Sequence, residues 1–258
     1  MGGMGGMTGG MGMGGAAGHL PPPTGTAGTT GAAGSGDMGG AGGAGGAPMP
    51  DPRCAPVDNT VSWWHADGDY DDAVGSNDGL TAGAVSFTAG VDQQAFSLNG
   101  NLGSFVEVPN DASLQMSAGL TIDAWINQDT LGGRIVDKIT AFSNDGYILD
   151  MFGANVRLII GGNDMTSADR VGNGIWTHVA ATYNAADGQM AIYINGAPSG
   201  TKNIGPGAIP SNALPLRIGA DSEGGSLFIG SMDEPRIFNR ALSASEIATL
   251  FWQSSNCQ

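Results

Sequence analysis

The chain has 258 residues, and its 24 acidic and 9 basic residues give a formal net charge of −15. Nine scattered cations form no basic stripe, and a strongly negative protein repels nucleic-acid phosphates and anionic lipid surfaces. These features argue against a nucleic-acid-binding protein. No stretch is apolar over the length of a membrane-spanning helix, so we also expect no membrane insertion of the folded part.

Residues 1–53 are predicted to form a disordered tether. Residues 1–50 contain 21 of the 46 glycines and 7 of the 12 methionines, no Phe, Tyr or Trp, and Asp37 as the one charged residue. Such a segment buries too little apolar surface to offset the entropy of ordering it. The remaining residues, 54–258, have the length of one all-β sandwich domain.

Two cysteines, Cys54 and Cys257, flank nearly all of the predicted folded part. The termini of a sandwich often lie close together, so we expect a disulfide between them, which implies an oxidising compartment. The alternative is a pair of unrelated thiols in a cytosolic protein. No export signal is recognisable at the start of the chain, and the expected extracellular or cell-surface location rests on the cysteines and the tether.

From Val61 onward, short apolar runs alternate with Gly, Asn, Asp and Pro, which is typical of an antiparallel sandwich or barrel. The predicted strands are Val61–Trp64, Ala95–Leu98, Phe105–Val108, Leu120–Ile126, Ile135–Lys138, Tyr147–Met151, Val156–Ile160, Trp176–Tyr183, Gln189–Ile194, Leu216–Gly219 and Ser231–Phe238. The turn at residues 186–188 predicts a hairpin, and Asn195-Gly196 supplies the positive φ of a second tight turn.

One helix is predicted near the end of the chain. Ser243 and Glu246 form a Ser-x-x-Glu capping box ahead of the apolar residues Ile247 and Leu250. We expect this short helix to close an edge of the sandwich.

Nine segments of the predicted domain have a familiar order. They are Val61–Asp69, Asp72–Gly79, Ala95–Gly100, Phe105–Pro109, Leu120–Ile126, Gly174–Tyr183, Ile192–Gly196, Leu216–Gly219 and Gly230–Ser243. Together they resemble the laminin-G-like, concanavalin A-like jelly-roll domains of bacterial surface and secreted proteins. The resemblance implies two packed antiparallel sheets. Pro235 departs from the family pattern and predicts a strand edge or a bulge, because proline cannot donate to the ladder.

The first long loop is crowded with acidic and amide side chains. They are Asp67, Asp69, Asp71, Asp72, Asn77 and Asp78. Like charges at this density repel one another unless a cation or open water relieves them. The resemblance implies, in many members, a calcium ion that connects this loop to the last strand. The family pattern matches Asp72 and Asp233, with Asp67 and Asn77 beside Asp72, and a solvated loop without an ion is the alternative.

The sequence favours binding over catalysis. Glucanases of the fold that the chain resembles carry two Glu and an Asp alternating on one strand, whereas no two of the four Glu residues here share a predicted strand. Asp123 and Asp150 lie on predicted strands and are expected to face solvent, and His178 is interpreted as a structural histidine.

Sugar rings stack on aromatic side chains, which makes the aromatic residues candidates for ligand binding. The candidates are Trp63, Trp64, Tyr70, Phe142, Tyr147 and Phe152, and of these we expect Tyr70 and Trp64 to contact a ligand. The prediction is therefore a calcium-stabilised extracellular module that binds a glycan or a surface protein. A passive spacer, or a glycan-active enzyme that uses Asp, remains an alternative.

Overall fold

The computed structural model describes residues 57–81 and 83–254. The residues form fifteen strands and one α-helix. They are β1 (Thr60–Trp63), β2 (Leu80–Thr81), β3 (Val85–Ala89), β4 (Gln94–Asn99), β5 (Val106–Val108), β6 (Gly119–Gln128), β7 (Gly133–Ile139), β8 (Gly146–Phe152), β9 (Asn155–Ile160), β10 (Asn163–Arg170), β11 (Thr177–Asn184), β12 (Gln189–Ile194), β13 (Ala197–Asn203), β14 (Leu216–Ile218), β15 (Ile229–Phe238) and α1 (Ala244–Ser254). The predicted tether, residues 1–53, and both cysteines, Cys54 and Cys257, lie outside the described residues.

The strands form two antiparallel sheets. The first sheet has the order β13-β12-β11-β6-β15-β4-β3, with β1 also paired to β15, and the second has the order β10-β9-β8-β7-β14-β5-β2. Strands far apart in sequence are neighbours, such as β6 beside β15 and β7 beside β14. The predicted all-β jelly-roll sandwich is thereby confirmed.

The main core lies between the two sheets, because alternate side chains of each central strand point inward. Ile122 and Ile126 of β6 meet Leu149 and Met151 of β8 in one buried cluster. The same alternation directs the intervening side chains outward. The register of these strands therefore determines which side chains lie next to one another on the two outer faces.

The outer face of the first sheet is covered by α1. Ile247 and Leu250 of the helix pack with Ala180 and Tyr193 of the sheet in a second apolar cluster. We predicted that the helix closes an edge, and this was wrong. Its apolar residues lie on one side and need the broad surface of a sheet for burial.

The start of α1 has the predicted capping box. The backbone N–H of Glu246 donates to the hydroxyl of Ser243 at 3.3 Å, and the Glu246 carboxylate accepts the Ser243 N–H at 2.8 Å. The reciprocal pair satisfies two backbone donors that the first turn leaves unpaired. This cap places the helix over the sheet immediately after β15.

A buried charged centre lies on the outer side of the first sheet. The Asp123 carboxylate accepts hydrogen bonds from Arg236 Nη2 at 2.6 Å and contacts His178 Nε2 at 3.1 Å, and both Asp123 and His178 are inaccessible to solvent. Burial alone raises the pKa of Asp123, but the charge of Arg236 and the His178 contact outweigh it and hold the pKa below its ordinary value. Asp123 therefore does not face solvent as expected. His178 is buried beside it, as a structural histidine would be, although its Nδ1 has no hydrogen-bond partner.

All eleven predicted strands are present, with ends shifted by at most two residues. The structure adds β2, β3, β10 and β13, and each of these lies at the edge of a sheet. Edge strands carry polar residues and few apolar ones, so they lack the apolar run by which strands are recognised. At Pro235, the register of β15 shifts between Asp233 and Arg236, which confirms the predicted bulge.

Candidate functional site

Asp72 and Asn77 hold the first long loop together, and we call this pair the loop clasp. Oδ1 of Asp72 accepts the backbone N–H groups of Trp63 at 2.9 Å and Val74 at 3.2 Å, and Oδ2 accepts that of Asn77 at 3.1 Å. Asn77 donates through its side chain to the hydroxyl of Ser62 at 2.7 Å. Protein donors therefore occupy both oxygens of Asp72.

Four carboxylates lie where β15 meets the β3–β4 loop, and we call Asp67, Asp92, Asp233 and Glu234 the acidic edge. Oδ2 of Asp233 accepts the N–H groups of Val91 at 2.7 Å and Asp92 at 3.0 Å, whereas its Oδ1 is buried without a hydrogen-bond partner. Asp67 is held at the same loop, because its Oδ1 accepts the N–H of Gln94 at 2.9 Å. An unpaired buried carboxylate oxygen costs free energy unless something compensates it.

Glu234 sits in the bulge of β15 and interacts with two aromatic rings. Its carboxylate accepts the indole N–H of Trp63 at 2.6 Å and lies 2.7 Å from Nδ1 of His65. Positive φ values occur at Glu234 (+55°), Ala66 (+64°) and Gln93 (+37°). Such backbone conformations cost about 1–3 kcal/mol each in non-glycine residues, and they concentrate at functional sites.

The acidic edge is rich in negative charge that the protein balances only in part. Burial raises the pKa of Asp233 to about 7, and the charges of Glu234 and Asp67 add to this effect. The pKa of Asp92 is raised by burial and by the same neighbours. The hydrogen bond to Glu234 raises the pKa of His65 above its ordinary value, which favours the protonated imidazole beside these carboxylates.

The four predicted calcium ligands are divided between these two networks. Asp72 and Asn77 belong to the loop clasp, and Asp67 and Asp233 belong to the acidic edge. In the described part of the chain, no three His, Cys, Asp or Glu side chains converge as a metal-binding group. Oδ1 of Asp233 is free of protein donors and makes the acidic edge the better candidate for a cation, although both oxygens of Asp67, like those of Asp72, accept protein donors. The calcium ion shared by Asp72 and Asp233 stays a prediction, and the two carboxylates belong to separate hydrogen-bond networks.

The two aromatic residues expected to contact a ligand occupy different environments. Trp64 is completely buried, and its indole N–H donates to the carbonyl of Asn77 at 2.9 Å. Its predicted ligand contact was wrong, because the large ring completes the core. Tyr70 is half-buried, with its ring stacked on Phe96 at a centroid distance of 5.6 Å and its hydroxyl donating to the Val85 carbonyl at 3.3 Å. Its contact with a ligand stays a prediction.

The outer face of the second sheet, opposite the face that packs on the core, carries an ordered row of charges. Arg157, Asp150 and Arg134 are directly paired across β9, β8 and β7. Asp150 accepts hydrogen bonds from Arg157 Nη2 at 2.7 Å and from Arg134. Asp150 does not face solvent as expected, because the two guanidinium groups cover it. The Arg157 guanidinium also lies 4.5 Å from the ring centre of Phe152, which is more than half exposed.

A cavity of about 380 Å³ opens on this face. Ile148 and Ile159 contribute apolar surface, and Arg134 and Asp137 contribute charged groups. The rest of the lining comes from Ile139, the β7–β8 turn at residues 140–143, Gly162, and the β14–β15 loop at residues 221–223 and 226. The volume lies at the lower end of the range of small-molecule sites, and the mixture of apolar surface with a few polar groups is typical of them.

Asp137 lines the cavity and has one carboxylate oxygen, Oδ2, without a hydrogen-bond partner. It is only 1% exposed, and its Oδ1 accepts the N–H of Ile139 at 3.2 Å. Its Oδ2 lies 3.1 Å from Nε of Arg134, which is within ion-pair distance. The Nε–H group does not form a hydrogen bond to Oδ2, and neither atom has another hydrogen-bond partner. Burial raises the pKa of Asp137 to about 7 in spite of the Arg134 charge.

Phe142 stands at the rim of the cavity in the β7–β8 turn. Its side chain is fully exposed, and its φ is +61°. A bulky residue in this backbone region is an outlier, and an exposed aromatic ring gains nothing from burial. The protein therefore holds a flat apolar surface in water next to a partly polar cavity.

Sequence comparison places these features in a known family. A laminin G family model, described as Concanavalin A-like lectin/glucanases superfamily, matches residues 98–248, more than half of the chain. The chain belongs to this superfamily. The cavity of the laminin-G-like domain lies within the matched residues, whereas the acidic loop precedes them.

Three relatives define the extent of the likeness. The adhesion G-protein coupled receptor V1 of Danio rerio is 26% identical over 182 residues, which are 63% of this chain and 3% of the receptor. The binding domain of Paraclostridial Mosquitocidal Protein 1 has a TM-score of 0.64 and 23% identity, covering 75% of this chain and 52% of that one. Domain 4 of AbnA, an extracellular arabinanase of Geobacillus stearothermophilus, crystallised in complex with arabinotriose, has a TM-score of 0.60 and 19% identity, covering 74% and 98%.

These likenesses show that the laminin-G-like domain has the fold of known binding domains. The chain spans about half of the mosquitocidal binding domain and a small part of the receptor, so the likeness concerns only a part of each. In the described residues, the single helix α1 has 11 residues and does not have the length and apolarity of a membrane span.

Sequence reasoning named Phe142 and Phe152 among the aromatic candidates but did not select them, and it missed Arg134, Asp137 and Arg157. A signal for Phe142 is present, because the residue lies between two strands in a polar turn where the core cannot reach it. The charged residues gave no such signal, since a single Arg or Asp on a strand does not reveal its partner on the next strand.

Proposed function

We propose that this domain is an extracellular, calcium-stabilised module that binds glycans on the outer face of its second sheet. The observation that carries the proposal is the cavity of about 380 Å³ with the fully exposed Phe142 at its rim. Beside the cavity, Arg134, Asp150 and Arg157 form a paired row of charges, and α1 packs on the outer face of the first sheet.

The chemistry of the cavity matches that of a sugar. A sugar ring has an apolar C–H face that packs on an aromatic ring, and hydroxyl groups that both donate and accept hydrogen bonds. Phe142 and Ile148 supply apolar surface, and Arg134 and Asp137 supply a donor and an acceptor. The complex of the arabinanase domain with arabinotriose supports this choice of ligand class, since that domain has the same fold.

Calcium has a stabilising role in this proposal. Asp67 and Asp233 would hold the ion, which would supply positive charge to the acidic edge and relieve the unpaired Oδ1 of Asp233. The two residues come from the first long loop and the last long strand, so the ion would fasten parts of the chain that are distant in sequence. The sugar-binding cavity is formed by other residues.

A second candidate function is glycan hydrolysis by Asp residues. Asp137 and Asp221 both line the cavity, and their environments move their pKa values apart, which is the arrangement of an acid and a base. We rank this function below binding, because Oδ2 of Asp137 is buried 3.1 Å from Nε of Arg134, whereas a catalytic acid must reach the glycosidic oxygen directly. Release of reducing sugar that Asp137→Asn abolishes would establish the enzyme.

The proposed function is tested by screening the full chain against a glycan array, once with calcium and once with a chelator at a temperature where the protein stays folded. We expect glycan binding under both conditions and a lower melting temperature with the chelator. A blank array from a folded sample contradicts glycan recognition and favours a protein ligand or a spacer. An unchanged melting temperature contradicts the role of calcium alone.

A further inference from the structure

The charges around the cavity restrict which sugars it accepts. Its lining contains one cation, Arg134, and three carboxylates, those of Asp137, Asp221 and Glu223. Arg134 is already engaged, because it forms ion pairs with Asp150 and with Asp137. Arg134 is the cation that an entering ligand would meet, and carboxylates on two sides already balance its charge.

The β14–β15 loop keeps its negative charge. Oδ1 of Asp221 accepts the N–H groups of Gly225 at 2.7 Å and Glu223 at 3.1 Å. Burial raises the pKa of Asp221, but these hydrogen bonds and that of Ser226 outweigh it, so the pKa lies below its ordinary value. This wall of the cavity is anionic at neutral pH and disfavours a second anion.

The unpaired atoms at the inner end of the cavity favour a hydroxyl group. Nε of Arg134 needs an acceptor, and Oδ2 of Asp137, 3.1 Å away, is available to a donor. A hydroxyl group accepts and donates at once, whereas a carboxylate only accepts. Both atoms are buried, so a ligand hydroxyl reaches them only when the Arg134 side chain, which is 18% exposed, rotates.

We propose that the cavity selects a short glycan end whose sugar is uncharged or cationic, and rejects sugars that carry a carboxylate. The inference rests on the proposed glycan function and adds the chemical class of the ligand. The volume of about 380 Å³ limits the cavity to a small ligand, so the terminal sugar of a glycan decides binding.

The test uses pairs of immobilised glycans that differ only in the terminal sugar, glucose against glucuronic acid and galactose against galacturonic acid. We expect the full chain to bind the acidic member roughly tenfold more weakly than the neutral one, an effect of ~1.4 kcal/mol from like-charge repulsion. Asp221→Asn should narrow this difference. Asp187→Asn, which removes one charge from the exposed β11–β12 turn of the other sheet, should leave it unchanged.

The outcomes separate the inference from the function on which it rests. Equal or tighter binding of the acidic sugars overturns the selectivity but leaves glycan recognition standing. The selectivity is also overturned if Asp221→Asn and Asp187→Asn change the preference for neutral sugars by the same amount. The charge of Asp221 in the cavity would then matter no more than a charge elsewhere on the domain. Failure to bind either member of any pair removes the proposed function together with the inference.

Discussion

Replacing Arg236 by Met should destabilise the domain strongly, because it leaves the charge of Asp123 buried. Arg236 makes contacts to the Asp123 carboxylate at 2.6, 3.1 and 3.3 Å, and Asp123 is inaccessible to solvent. Removing one partner of a buried ion pair costs about 3–5 kcal/mol. Methionine keeps much of the side-chain volume, so most of this loss would come from the uncompensated charge.

The histidine beside Asp123 makes the loss dependent on pH. Burial lowers the pKa of His178, and the charge of Arg236 lowers it further. In Arg236→Met the second effect is gone, so the pKa of His178 rises and a protonated imidazole balances Asp123. Because folded Arg236→Met binds the His178 proton more tightly than the folded wild type does, the stability deficit of the variant is smaller at low pH and grows as the pH rises through the histidine range.

The assay is urea unfolding of the wild type and Arg236→Met at about pH 8 and about pH 5.5, on either side of the histidine range. The deficit of the variant should be largest at the higher pH. Arg240→Met is the control, since Arg240 pairs with Glu246 near the surface and its loss should cost about 1 kcal/mol or less. Equal losses in the two variants, or a deficit that does not change with pH, would refute the reasoning.

Three further results are expected. Trp64→Ala removes a completely buried ring and should lower the free energy of unfolding by about 3–5 kcal/mol, measured by urea titration; a loss below about 1 kcal/mol would show that the ring is not core. The pKa of Asp137 is raised to about 7, so its carboxyl favours the folded state less as the pH rises from about 4 to about 7. Asp137→Asn should reduce the loss of unfolding free energy over this pH range by up to ~4 kcal/mol. The prediction is contradicted if the unfolding free energies of the wild type and the variant change with pH in parallel. Calcium should raise the melting temperature of the wild type but not that of Asp233→Asn, and an equal rise in both would exclude Asp233 as a ligand.

The sequence was sufficient to predict the fold because two kinds of local signal agree with it. Apolar runs between turn residues mark the central strands, and the Ser243 and Glu246 box marks the start of α1. The edge strands were missed for a physical reason. In β10, for example, six of the eight residues are exposed, so the strand is specified by pairing with β9 and not by burial.

The candidate site was harder to predict because it depends on pairing between strands. Asp137 contacts Arg134 within β7, where the pairing with β8 is irregular between Arg134 and Val136. Asp150 is an ordinary acidic residue in the sequence, and only the register of β7, β8 and β9 brings Arg134 and Arg157 beside it. The same applies to the acidic edge, where Asp233 meets the β3–β4 loop about 140 positions earlier in the chain. The acidic loop was visible in composition, but composition did not show that its Asp72 is fully occupied by backbone donors.

The central claim is that glycans bind at the cavity beside Phe142, and the most direct test compares two exposed apolar side chains. The affinity of the full chain for its best array glycan should fall at least tenfold, or ~1.4 kcal/mol, in Phe142→Ala, with no loss of stability. Leu102→Ala, which removes a highly exposed side chain from the β4–β5 loop, should bind as the wild type does. Wild-type affinity in Phe142→Ala would contradict the account, because the ligand would then bind elsewhere on the domain.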